Sequence, residues 1–261
     1  MNVIIWMAFF IRRGSRTCPS SALSKNLAGR RLARRMTKMG DAREDLMKER
    51  AAILAATLPH VPFDGWSLRT IHVGAKEAGF DESMASLAFP GGVAETIDFW
   101  SQMSDAAMQV AYVEADTDDM RFRDKITFLV RARIEAVAEH REAVRRALTH
   151  VSRPSKASKG IRGLYRTVDD MWYAAGDKAT DFSFYTKRGT LAGVYASTLL
   201  YWLDDRSEDS VETWAFLDRR IAGVMRIPQR RPSLKDATKY VPDPKRFVRM
   251  LSERLREAGA R

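Results

Sequence analysis

From Asp41 onward, apolar side chains recur at three- and four-residue spacing: Leu46, Ile53, Leu54 and Leu58; Ile126, Leu129, Val130, Ile134 and Val137; Leu191, Val194, Tyr195, Leu199 and Trp202; Trp214, Leu217, Ile221 and Val224. That period gathers each set on one face of a helix, and no run sustains the alternation of a strand. The breaks are as regular. LPHVPFDG (58–65), FPGG (89–92), SRPSKASKG (152–160) and RIPQRRPS (226–233) combine Pro, Gly and small polar residues between the periodic segments. The pattern predicts an all-α chain of about nine helices with no internal repeat. Ser67 is the expected N-cap of SLRTIHVGAKEAGF, and Asp81 that of a short helix ending at Phe89-Pro90.

Composition changes this picture mainly at the N-terminus. The chain has 261 residues, 45% apolar side chains and a formal charge of +11, enough for one large domain or two small ones and suggestive of an anionic partner. Residues 1–40 hold nine of the Lys and Arg and no acid, which leaves 35 basic against 33 acidic residues elsewhere, or +2. The apolar run Val3–Ile11 is too short to span a bilayer. Two readings of 1–40 stand: a basic, disordered targeting segment of the mitochondrial type, or an over-extended start upstream of Met36 or Met39. Cys18, the one cysteine, lies there too, so the body has no disulfide, thiolate metal site or cysteine nucleophile.

The helices expected at 43–58, after Ser67 and after Asp81, with Gly79 at the turn, resemble the helix-turn-helix of tetracycline-repressor-like regulators. The helix that would read DNA is DESMASLAF. Ten acids and no Lys or Arg lie between Glu77 and Met120, a field that repels phosphates. No nucleic-acid partner is expected, and a ligand-responsive regulator of this type is the alternative reading. In that architecture the later helices form a ligand chamber and a dimer interface. Phe99, Trp100, Met103, Met108, Phe128, Tyr195 and Trp202, with Tyr112 and Phe122, supply apolar bulk suited to a flexible lipid. Spacing alone describes an ordinary core equally well.

Catalytic constellations are missing. His60, His72, His140 and His150 stand apart, none three residues after a Glu as a helix-bundle di-iron site requires, and there is no phosphate loop or nucleophile elbow. No catalytic residue, metal or cofactor is expected. In VDDMWYAAGDKATDFSFYTKRG (168–189), Asp169, Asp170, Asp177 and Asp181 stand among five aromatics. Asp169 and Asp170 are adjacent on a helix and so point about 100° apart. Arg162, Tyr165, Asp169, Trp172 and Tyr173 instead share one face, ending at Gly176 as a helix terminator, with the make-up of a protein contact.

Residues 168–221, VDDMWYAAGDKATDFSFYTKRGTLAGVYASTLLYWLDDRSEDSVETWAFLDRRI, resemble the coenzyme Q nine family, as do ILAATLPHVPFDGWSLRTIHVGAKEAGF and LAFPGG. The resemblance covers roughly Arg50 to Val224. It implies a tetracycline-repressor-like fold that no longer regulates DNA, a homodimer, and binding of isoprenoid or quinone lipid. It further implies presentation of a polyprenylated quinone intermediate to the di-iron demethoxyubiquinone hydroxylase, through a surface that maps onto Asp169, Trp172 and Tyr173. Lys178 and Ser183 depart from the family pattern outside that face.

The family also carries a C-terminal amphipathic helix that touches membrane. Here DPKRFVRMLSERLREAGAR places Phe247, Leu251 and Leu255 at i, i+4 and i+8 with Val248 alongside, ringed by basic residues suited to reversible docking on an anionic surface. The expected organisation is an extension over 1–40, a helix-turn-helix-like bundle over 41–92, a lipid-binding and dimerisation domain over 93–227, and a linker and terminal helix over 228–261. The expected location is the cytoplasmic face of a bacterial inner membrane, peripherally bound, with the matrix face of the mitochondrial inner membrane as the alternative.

Overall fold

Local sequence signals set the helix boundaries. A computed structural model describes residues 27–117, 119–176 and 183–225, with side chains over 40–117, 119–176 and 187–223. Among these residues there are ten α-helices and no strand: α1 (Leu27–Thr57), α2 (Val61–Asp64), α3 (Leu68–Glu77), α4 (Glu82–Ala88), α5 (Val93–Glu114), α6 (Phe122–Glu135), α7 (Arg141–Val151), α8 (Ala157–Ala174), α9 (Ser183–Asp204) and α10 (Val211–Met225). The class is as expected. One more helix than expected comes partly from the single turn Val61–Asp64, where Pro62 sits at a position that needs no N–H.

α1 runs back to Leu27, into the basic extension expected over 1–40, so Leu27–Gly40 is helical where the charge pattern suggests a disordered segment. Basic charge concealed helical propensity: LAGRRLARRMTKM is built from Ala, Leu, Arg, Met and Lys, which lose little side-chain entropy in a helix.

The chain forms two compact units, Met1–Thr96 and Ile97–Arg261. In the first, α1, α3 and α4 pack mutually. Ser67 caps α3, its hydroxyl accepting the Thr70 N–H at 3.1 Å, and the Asp81 carboxylate caps α4 by accepting the Met84 N–H at 2.8 Å. The Ser83 hydroxyl, which donates to Asp81 Oδ1 at 2.8 Å, and then the Met84 N–H lower the pKa of Asp81. Gly79, between the two helices, has φ +85°, which a side chain rarely tolerates. α1 and α3 touch at Gly74, where a Cβ would lie 2.2 Å from Thr57 Oγ1 and 2.8 Å from Thr57 Cα. The unit's limit falls within the first turn of α5, where Glu95 pairs with Arg50 at 2.9 Å.

In the second unit α9 packs on α8 and α10, and α6 on α8 and α10, while α7 lies against α8. Leu129, Val130, Ile134, Val168, Met171, Leu191, Val194 and Leu217 form its interior. The turn into α10 is fixed by buried Asp205. Its carboxylate accepts from Ser207 N (2.8 Å) and Oγ (2.7 Å) and from Thr213 N (2.9 Å) and Oγ1 (2.5 Å). Although burial alone would raise its pKa, the Thr213 and Ser207 bonds lower it to about 2.

Candidate functional site

α8 divides cleanly. Thr167, Val168 and Met171 face inward, while Arg162, Tyr165, Asp169 and Tyr173 are exposed and Trp172 is half-buried between them. The helix closes with the Ala175 N–H donating to Met171 O at 3.0 Å, followed by Gly176 at φ +93°. Trp172 stacks on Phe122 of α6, ring centroids 5.2 Å apart and planes 25° apart, and Lys187 Nζ lies 5.9 Å from its ring. Its indole N–H is buried without an acceptor among the described residues. Tyr173 is 69% exposed and Phe122 40%. Phe122, grouped by its sequence with the apolar supply of the chamber, is thus partly exposed and stacked on Trp172 at this face.

Asp169 is engaged from within the chain. Arg188 of α9, whose side chain is buried, donates from Nε to Asp169 Oδ1 at 2.6 Å. The structure therefore brings Trp172 and Tyr173 to the surface together and makes Asp169 a brace between α8 and α9. Asp177 and Asp181 lie outside the described residues.

Five of the seven apolar candidates, Phe99, Trp100, Met108, Tyr195 and Trp202, are buried in the second unit, and Met103 and Phe128 are half-buried. Trp100 meets His140 edge-on at 6.4 Å, Phe128 lies against Tyr112 at 6.1 Å, and Arg141 covers Trp202 at 4.5 Å. Burial lowers the pKa of His140, so its ring is a neutral partner for Trp100. Phe247, Val248, Leu251 and Leu255 lie outside the described residues.

Sequence reasoning missed a polar cluster among these apolar side chains. Asp105 of α5 is buried, and its Oδ1 accepts from Arg133 Nε of α6 at 2.7 Å and from Thr167 Oγ1 of α8 at 2.8 Å. Arg133 Nη2 also donates to Ser101 Oγ at 3.3 Å. Arg166 donates from Nη1 to Asp98 Oδ1 at 2.9 Å and holds its Nε 3.5 Å from Asp105 Oδ2. Burial raises the pKa of Tyr195, keeping its phenol neutral, with Arg133 acting in the opposite sense. Burial works against the charge on Arg133, yet Tyr195 and Asp105 outweigh it and raise its pKa. Burying two such ions costs several kcal/mol each, so the cluster demands its internal partners. Its signal was available: Asp105 and Arg133 are opposite charges on the apolar phases of two helices.

Among the described residues no three His, Cys, Asp or Glu side chains could together hold a metal ion, and no helix is long and apolar enough to cross a membrane.

The COQ9 family model matches residues 157–228, which take in α8, α9 and α10. "Ubiquinone biosynthesis protein COQ9, mitochondrial" of Drosophila melanogaster is 32% identical over 68% of this chain and 56% of its own length. "Ubiquinone biosynthesis protein COQ9-B, mitochondrial" of Xenopus laevis is 33% identical over 71% of this chain and 67% of its own. The chain thus spans little more than half of the fly protein. Both names carry a mitochondrial location, in line with the second location expected from sequence and giving no support to the bacterial one. The crystal structure of the TetR transcriptional regulator from Nitrosomonas europaea superposes with a TM-score of 0.56 at 23% identity, covering 67% of this chain and 97% of that one, which shows a TetR-like fold. The frog relative, matched over two thirds of its length, together with the family model over α8–α10, shows that this chain belongs to the COQ9 family.

Proposed function

We propose that this protein serves ubiquinone biosynthesis as a non-catalytic accessory protein. It takes up a polyprenylated quinone intermediate at a membrane surface and presents it to the di-iron demethoxyubiquinone hydroxylase. The observation that carries this reading is family membership with proteins named for ubiquinone biosynthesis, matched across α8–α10. The exposed aromatic face of Phe122, Trp172 and Tyr173 supports a protein contact, since aromatic anchors beside cations dominate such interfaces. The apolar interior of the second unit supports lipid uptake, and the basic amphipathic pattern of 243–261 supports membrane contact. Pairing as a homodimer and a site on the matrix face of the mitochondrial inner membrane belong to the same reading. Trp172→Lys tests the partner face. It should abolish co-purification with the hydroxylase while leaving helical content and bound lipid unchanged. Undiminished co-purification rules the face out.

A further inference from the structure

The corner where α7 meets α8 gathers positive charge that the chain does not neutralise. Between Glu142 and Asp169 the sequence holds no Asp or Glu. Arg145, Arg146 and Arg166 find carboxylates all the same, in Glu142, Asp204 and Asp98. Arg153, Lys156, Lys159 and Arg162 have no ion partner among the described residues. Arg153, Lys159 and Arg162 are exposed, and Lys156 is half-buried. Backbone geometry holds them together: the Lys156 N–H donates to Arg153 O at 2.8 Å and the Lys159 N–H to Lys156 O at 2.9 Å. α7 and α8 close on each other at Gly160, where a Cβ would lie 3.1 Å from Val151 Cβ. His150 of α7 stands beside the group, its pKa lowered by burial and then by Arg153 and Lys156.

Stability does not account for this arrangement. Lys156 is the N-cap of α8 and Lys159 lies in its first turn, the positive end of the helix dipole, where cations are disfavoured. An anionic partner relieves that repulsion. The cations stop near this end, since beyond Arg166 the exposed face of α8 carries Asp169 and Tyr173, so no basic track follows for a nucleic-acid backbone. A bilayer needs only one basic spot, and a cluster of this size is enough to attract anionic lipids. Tyr165, 45% exposed on the same face as Arg162, has the amphipathic ring that suits the head-group layer. We propose that Arg153, Lys156, Lys159 and Arg162 dock the second unit on an anionic phospholipid surface, with Tyr165 at the edge of the contact. This contact deepens the membrane-surface reading above, on which it rests, by giving the folded body a lipid contact of its own beside the segment 243–261. Trp172 lies roughly 20 Å along α8 from Lys159 at about 1.5 Å per residue, so docking by this end leaves the aromatic face clear of the bilayer.

Flotation of the full chain with vesicles tests the docking surface. One set is phosphatidylcholine alone, and the other holds one part phosphatidylserine to two parts phosphatidylcholine. Wild type should float with the anionic set and less with the neutral one. Combining Arg153→Gln, Lys156→Gln, Lys159→Gln and Arg162→Gln should weaken binding to the anionic set at least about tenfold, since each cation near such a surface contributes up to about fivefold. Lys159→Gln alone, at an exposed side chain, should weaken it about twofold to fivefold. A control removes the same charge from exposed sites elsewhere, as Arg69→Gln, Lys76→Gln, Arg206→Gln and Arg219→Gln, and should stay within about twofold of wild type. Circular dichroism reports the fold of each variant. A corner variant that floats like wild type overturns the docking surface and leaves membrane contact to 243–261. Equal weakening by the control reduces the effect to net charge and also overturns it. If wild type ignores both vesicle sets, the membrane reading falls as well. A corner variant that keeps the vesicles but loses a random-sequence DNA duplex would give the corner to nucleic acid instead.

Discussion

Removing one half of the Asp105–Arg133 pair should cost far more than removing both. The side chains are 4% and 7% exposed, and the bond between them is 2.7 Å long. Asp105→Leu leaves the Arg133 guanidinium buried without its carboxylate and takes the acceptor from Thr167 Oγ1, an uncompensated charge worth about 3–5 kcal/mol of destabilisation. Arg133→Met leaves the carboxylate buried with only Thr167 and the more distant Arg166, and should cost about 3 kcal/mol for the same reason. In the double variant neither charge needs solvating, and Leu and Met can pack among Met108, Leu129 and Val130. Its net cost should be about 0–2 kcal/mol, which gives a coupling of at least about 4 kcal/mol. Urea denaturation of the four proteins, followed by tryptophan fluorescence, measures this cycle. Single-variant costs that add in the double variant to within about 0.5 kcal/mol would refute the claim that these two charges exist for one another.

Other consequences follow from the same contacts. Gly74→Ala should lower the stability of the first unit by about 1–3 kcal/mol, because the new methyl meets the Thr57 backbone and α1 and α3 must separate; a melting temperature equal to wild type would contradict that packing. Asp205 is bound as a carboxylate, with its folded pKa lowered to about 2, so its contribution is fully present above the ordinary value near 3.8 and is lost as pH falls toward 2. Asp205→Asn should therefore flatten the acid limb of stability between about pH 4 and 2, and an unchanged limb would show that the cap is not a charged one. Phe122→Ala should weaken hydroxylase co-purification less than Trp172→Lys does, since it removes a stacking partner worth about 0.5–1.5 kcal/mol and leaves the indole in place; the reverse order would move the centre of the face onto α6.

Features held by neighbouring residues were legible in the sequence. Ser67 and Asp81 bond to N–H groups three residues on, and Gly79 and Gly176 adopt positive φ where helices end, so each could be read within a few positions. Tyr173 faces outward because helical spacing opposes it to Val168 and Met171. What escaped depends on distance or on competing signals. Helical spacing places Asp169 on the contact face, but its ion partner Arg188 comes from the next helix, which spacing within one helix does not reveal. Leu27–Gly40 looked unstructured because its charge drew attention from its helix-forming composition. Asp105 and Arg133 were visible as charges on apolar phases, yet only tertiary packing sets them 2.7 Å apart.

If this protein carries lipid for another protein's chemistry, organic extraction of the purified protein followed by mass spectrometry should release an isoprenoid or quinone lipid. A protein that yields none and also ignores added quinone analogues would contradict it.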